Sequence, residues 1–258
     1  MTRVRHNFVN DIGDYAKYAL LRAVCASDQE LIRLGVIWYL TDHAEWNADG
    51  RKRAHLSQDG WANLDPDLLA RMRQLESTLP GQNALNVGLI EASGILPTGT
   101  VFFSGALPQG QGTPRQRASE RTAWFERARK AVANCNLVFL DPDNGLEVPS
   151  VPVTSRLASK YATVPEVGWL LESGASVVLY QHGSRVPWQA QRERILSQIA
   201  SGTDRAPVVR TLRFGAFGVR AFFCITTCPR MTAAVERSLD QLRRRVEGWD
   251  KSGYLLIE

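Results

Sequence analysis

The chain has 258 residues, 44% hydrophobic and 22% charged, with a net charge of +5 and a pI near 9.2. That composition is ordinary for a soluble globular protein, and no apolar run approaches the ~20 residues needed to cross a bilayer. With no apolar core behind the opening Met-Thr-Arg-Val-Arg-His, the expectation is a cytoplasmic protein without a membrane partner, folded as one α/β domain over residues 1–258.

Taken in chain order, residues 14–24 place Ala16, Ala19, Leu20 and Val24 on one side of a helix. Residues 34–40 read as a buried strand ending at Thr41, Asp42 and His43. Asp65 and Pro66 are start signals for a helix over residues 67–79. Residues 87–90 and 101–103 are short apolar runs set off by Gly and Pro, and both read as strands. The Gly/Gln/Pro/Ser-rich stretch 108–119 reads as a mobile loop, with a helix over residues 119–132 behind it.

Next comes Leu137-Val-Phe-Leu-Asp-Pro-Asp-Asn-Gly-Leu-Glu147, the most informative stretch of the chain. Four apolar residues form a buried strand that stops at Asp141, with Asp143 and Glu147 close behind. In open parallel sheets, ligands bind outside the carboxyl ends of the strands, so these acids are expected to face a crevice. A helix follows over residues 164–171, then a strand over 176–180 ending at Gln181 and His182. The remainder reads as a helix over 188–200, strands over 208–214 and 221–226, and a helix over 231–246.

This alternation predicts a Rossmann-like α/β fold, an open sheet of about six to seven mostly parallel strands with helices on both faces. Three strand ends then gather polar residues: Asp42 and His43, Asp141 and Asp143, Gln181 and His182. Arginine-rich clusters at 51–53, 115–129 and 243–245 favour polyanionic partners. The cysteines, Cys25, Cys135, Cys224 and Cys228, lack the paired spacing of a zinc site.

The opening His6-Asn-Phe8, with Asn10, Asp14 and Lys17 after it, resembles that of the large-subunit ribosomal RNA adenine-N6 methyltransferases. The strand ending in Asp42 and His43 is similar to the cofactor loop of that family. Asp141-Pro-Asp-Asn144 is similar to its Asp-Pro-Pro-Tyr motif, and residues 214–229 to its C-terminal Gly-rich hairpin. This chain differs in having no glycine in the cofactor loop before Gly50, and in carrying Asp143 and Asn144 where the family has Pro and Tyr.

The resemblance implies S-adenosylmethionine as cofactor and an amine of nucleic acid, or a related amine, as methyl acceptor. Asp141 would accept a hydrogen bond from that amine, with Asp143, His6 and His182 as further catalytic residues. Lys17, Asp14, Asp42 and His43 would line the cofactor. A second reading makes the protein a phosphodiesterase in which Asp141, Asp143 and Glu147 hold Mg²⁺ or Mn²⁺. A third is a non-catalytic nucleic-acid-binding protein on the same fold.

Overall fold

The computed structural model describes residues 9–28, 32–41, 52–79, 86–108, 112–216, 218–249 and 254–258. The strands, in chain order, are β1 (Leu34–Trp38), β2 (Val101–Phe103), β3 (Leu137–Asp141), β4 (Gly145–Leu146), β5 (Tyr161–Ala162), β6 (Ser176–His182), β7 (Val208–Phe214), β8 (Arg220–Thr226) and β9 (Leu255–Ile257). The helices are α1 (Ile12–Ala26), α2 (Ala54–Ser57), α3 (Pro66–Thr78), α4 (Gly88–Ala92), α5 (Pro114–Ala131), α6 (Val164–Glu172), α7 (Trp188–Ser201) and α8 (Pro229–Val246).

Seven strands form one sheet in the order β2-β1-β3-β6-β8-β7-β9, and β4 pairs with β5 apart from it. The β2–β1, β1–β3 and β3–β6 pairings are parallel. β8 then runs antiparallel to both β6 and β7, and β9 is antiparallel to β7. The fold is Rossmann-like, with its parallel half at the N-terminal side of the sheet and an antiparallel half at the other.

Side-chain alternation sends the two faces of each strand into different cores. Trp38, Phe139, Val178 and Phe222 pack under α1, α3 and α8. Ile37, Val138, Leu179 and Phe223 pack under α5, α6 and α7. Strands buried on both faces read as continuous apolar runs, which is why β3 is so clear in the sequence. Each large side chain buried this way contributes about 1.5–3 kcal/mol.

Helix starts follow from their caps. Asp65 accepts from Leu68 N ahead of Pro66, a cap contributing about 1 kcal/mol. The stretch 108–119 is corrected at its C-terminal end: α5 begins at Pro114, because Thr113 and Gln116 form a reciprocal capping box. Residues 88–90 belong to α4, with Val87 as its N-cap, rather than to a strand, a short apolar run that periodicity alone does not assign. β6 also runs through Gln181 and His182, so these belong to the strand itself. Among the described residues, no helix is long and apolar enough to cross a membrane.

Candidate active site

From β1 the chain crosses to β2 on one side, and from β3 it crosses to β6 on the other. The order in which the chain adds strands therefore reverses between the parallel β1 and β3, and such a reversal opens a crevice beyond the strand ends. A small cleft of about 70 Å³ lies there, lined by Trp38, Tyr39 and Leu40 after β1 and by Asp141 and Asp143 at the end of β3. Asp14, Lys17 and Tyr18 of α1 complete one wall, with Val87 and Ile90 opposite. That volume accommodates several ordered waters.

Helix α1 reaches this position through a short run of polar contacts. Asn10 turns the chain in the left-handed region at φ 69°, a conformation Asn tolerates better than most residues. Its backbone N–H donates to Asp14 Oδ2 at 3.0 Å, and Asp11 caps the helix by accepting from Gly13 N at 2.8 Å. Arg220, at the start of β8, donates to Asp11 Oδ1 at 3.3 Å. A side chain at Gly13 would occupy the space of that guanidinium. Positions 11, 14 and 17 thus point one helical face at the sheet.

Lys17 stands at the centre. Its Nζ donates to Asp14 Oδ1 at 2.9 Å and to Asp141 Oδ2 at 2.8 Å. Burial opposes the Lys17 ammonium, and Asp14 and Asp141 together outweigh it, holding its pKa well above the usual lysine value. Burial likewise raises Asp14 to about 6 against the pull of Lys17. The rings of Tyr18, Trp38, Phe139 and Tyr180 stand 5.5, 5.7, 5.7 and 5.9 Å from Nζ and surround the Lys17 ammonium; of these, Tyr18 and Trp38 also line the cleft. By formal charge Asp14, Lys17 and Asp141 sum to −1, and Asp143 adds a third acid to the lining.

Asp14, Lys17, Asp141 and Asp143 therefore meet in one cleft, although 124 positions separate Lys17 from Asp141. The chain leaves β3 after Asp141 and bends at Asp143 and Asn144, and both acids line the same cleft. His182 lies further along β6, exposed, with Nδ1 3.1 Å from the Tyr180 hydroxyl. His6, Asp42 and His43 lie outside the described residues.

Glu147 is placed elsewhere. Its Oε1 accepts from Val164 N at 2.8 Å at the start of α6, a capping role favoured by the helix dipole. Among the described residues, no group of three His, Cys, Asp or Glu side chains is arranged to hold a metal ion. The metal set of the second reading, Asp141, Asp143 and Glu147, is not gathered in one place: Asp141 accepts from Lys17 Nζ, and Glu147 accepts from Val164 N at the start of α6.

Gln181, read from the sequence as a ligand-facing residue, instead fixes the loop behind Asp141. Its Nε2 donates to Asn144 O at 2.8 Å and to His182 O at 2.9 Å, while Oε1 accepts from Leu146 N at 3.0 Å. Tyr18, Trp38 and Tyr180 were not singled out in the sequence. They carry no motif and look like ordinary core aromatics until the sheet register aligns Trp38 with Asp141.

No protein-family model matches the chain, and no curated protein matches it. Among solved structures, protein LPL1258 from Legionella pneumophila str. Philadelphia 1, of the family model DUF519, is similar. The alignment covers 98% of this chain and 97% of that one, at 10% identity and a TM-score of 0.46.

The basic clusters are partly spent inside the molecule. Arg53 pairs with Glu76, and Arg121 is buried against Glu166 at 2.8 Å, which also accepts from the Tyr39 hydroxyl. Arg245 donates to Leu64 O. What read as possible polyanion patches also ties helices to loops.

Proposed function

We propose that the protein is an S-adenosylmethionine-dependent methyltransferase whose acceptor is an amine, of nucleic acid or of a related compound. The observation that carries this reading is the position of Asp141 at the sheet reversal, with Asp14 and Lys17 brought to it by α1. These are the residues on which the family resemblance rests, and they gather at the place where Rossmann-like sheets take ligands. The β7–β8 hairpin, with Gly215 and Gly218 in its turn, also agrees with the C-terminal hairpin that the resemblance implies.

The donor set fits such a cofactor. Three carboxylates against one ammonium, with aromatic walls, favour a sulfonium over an anionic phosphodiester. When bound, the cofactor supplies an activated methyl group. Asp141 accepts a hydrogen bond from the acceptor amine and orients its lone pair, and Lys17 fixes Asp141 in place by donating to Oδ2. Asn144 cannot stack on a base as the family's tyrosine does. The acceptor is therefore held by polar contacts at that position.

Calorimetric titration tests the reading. S-adenosylmethionine is expected to bind at micromolar level, with Mn²⁺ giving no comparable heat. Asp141→Ala should abolish methyl transfer to an amine acceptor with unfolding behaviour retained. Tight Mn²⁺ binding without cofactor binding would favour the phosphodiesterase instead, and binding of neither would favour a nucleic-acid-binding role.

A further inference from the structure

We infer that the cleft selects the cofactor by charge, taking the sulfonium of S-adenosylmethionine and rejecting the neutral thioether left after transfer; this rests on the methyltransferase reading above. In the transfer, the S–CH₃ bond breaks with its electron pair remaining on sulfur. The amine lone pair forms the new N–CH₃ bond, and the nitrogen releases one proton to water. The cofactor passes from a formal charge of +1 to none, and S-adenosylhomocysteine is the product.

The cleft is built to feel that change. Asp14, Lys17, Asp141 and Asp143 are the charged side chains among the described residues that line it. The single ammonium is already shared between Asp14 and Asp141 at 2.9 and 2.8 Å, and it leaves their sum at −1. Asp14 and Lys17 are buried, and the Tyr18 and Trp38 rings stand beside the ammonium. Charge–charge attraction is stronger there than at an exposed surface and less screened by salt. Nothing in the neutral thioether replaces it. Product release is thereby built into the charge of the site, and inhibition by the product should be weak.

The probes are S-adenosylmethionine, S-adenosylhomocysteine and sinefungin, in which an amine-bearing carbon stands in place of the sulfonium, each titrated calorimetrically into the full chain. The expected result is that the two cations bind at least about tenfold more tightly than the thioether, a difference typical of one retained charge contact at a partly buried site. Asp14→Asn keeps an oxygen to accept from Asn10 N, and it should narrow the gap by weakening the cations while leaving the thioether unchanged. Circular dichroism of the variant checks that it folds, and the comparison on the unaltered protein stands without it. Thioether binding equal to or tighter than S-adenosylmethionine overturns the charge selection while leaving the methyltransferase reading intact. Failure of all three ligands to bind overturns that reading, and the inference with it.

Discussion

At Lys17 one ammonium serves two carboxylates, and the three side chains are not equally replaceable. Removing Lys17 strands Asp14 and Asp141 together in a buried site, and an uncompensated buried charge typically costs 3–5 kcal/mol. Removing the charge of Asp141 leaves Lys17 still paired with Asp14. Lys17→Met should therefore lower stability by about 3–5 kcal/mol and Asp141→Asn by clearly less, about 1–2 kcal/mol, read from urea midpoints at constant m-value. Equal losses would mean that Asp141, not Lys17, organises the cluster. A second residue sets the acid limb. His55 is fully buried, stacked on Tyr15, with neither ring nitrogen hydrogen-bonded, and burial, with Arg53 and Arg73 nearby, lowers it to about 4. The unfolded chain takes up this proton near pH 6.5 and the folded chain only near 4, so stability is lost as pH falls through that window. Asp14 acts in the opposite sense, since its folded value near 6 exceeds its unfolded one and acid favours the folded form. In His55→Phe the histidine contribution is gone, and the acid groups titrate as in wild type. The variant's stability relative to wild type should rise by a few kcal/mol between pH 7 and pH 4, and a pH-independent difference would contradict this. Asp141 was legible in the sequence because an apolar strand ends on it. His55 was not, since a lone histidine gives no sign of burial.

The loop behind β3 shows how an element holds the strand end at Asp141 still. Gly145 adopts φ 109°, and a side chain there would collide with the Gln181 carboxamide, which binds Asn144 O, His182 O and Leu146 N at once. Gly145→Ala should destabilise the protein through both strain and collision. In a Gln181→Ala background only the strain remains, so the two changes should couple by about 1 kcal/mol or more. Strict additivity in denaturant unfolding would separate the glycine from the glutamine. The limits of several elements could be read from caps and apolar runs: Asp65 starts α3, and 208–214 is β7 residue for residue. The start of α5 was missed because Pro and Gly around Thr113 looked like loop, although Thr-Pro-x-Gln is itself a helix start. β9 was missed because three apolar residues acquire strand character only by pairing with β7. The role of Gln181 was hidden for a similar reason, since its partners lie 35 and 37 positions away.

Across the whole molecule, α1 is tied at Asp11 to Arg220, 209 positions later, and at Lys17 to Asp141. It closes the cleft at the sheet reversal, and it packs on α8. The class of fold follows from the alternation of strands and helices in the sequence. The antiparallel course of β8 does not, because strand direction depends on connections that composition leaves open. Convergence of Asp14, Lys17 and Asp141 was expected only through the family resemblance, since nothing local in the sequence relates a helix near the N-terminus to a strand more than a hundred residues on. Hydrogen–deuterium exchange with and without saturating S-adenosylmethionine tests the central claim most directly. Protection is predicted in the segments 9–18, 38–41 and 141–146, the three that meet at the cleft, with β7 and β9 unchanged. Unaltered exchange in all three segments, or protection confined to the antiparallel half of the sheet, would contradict it.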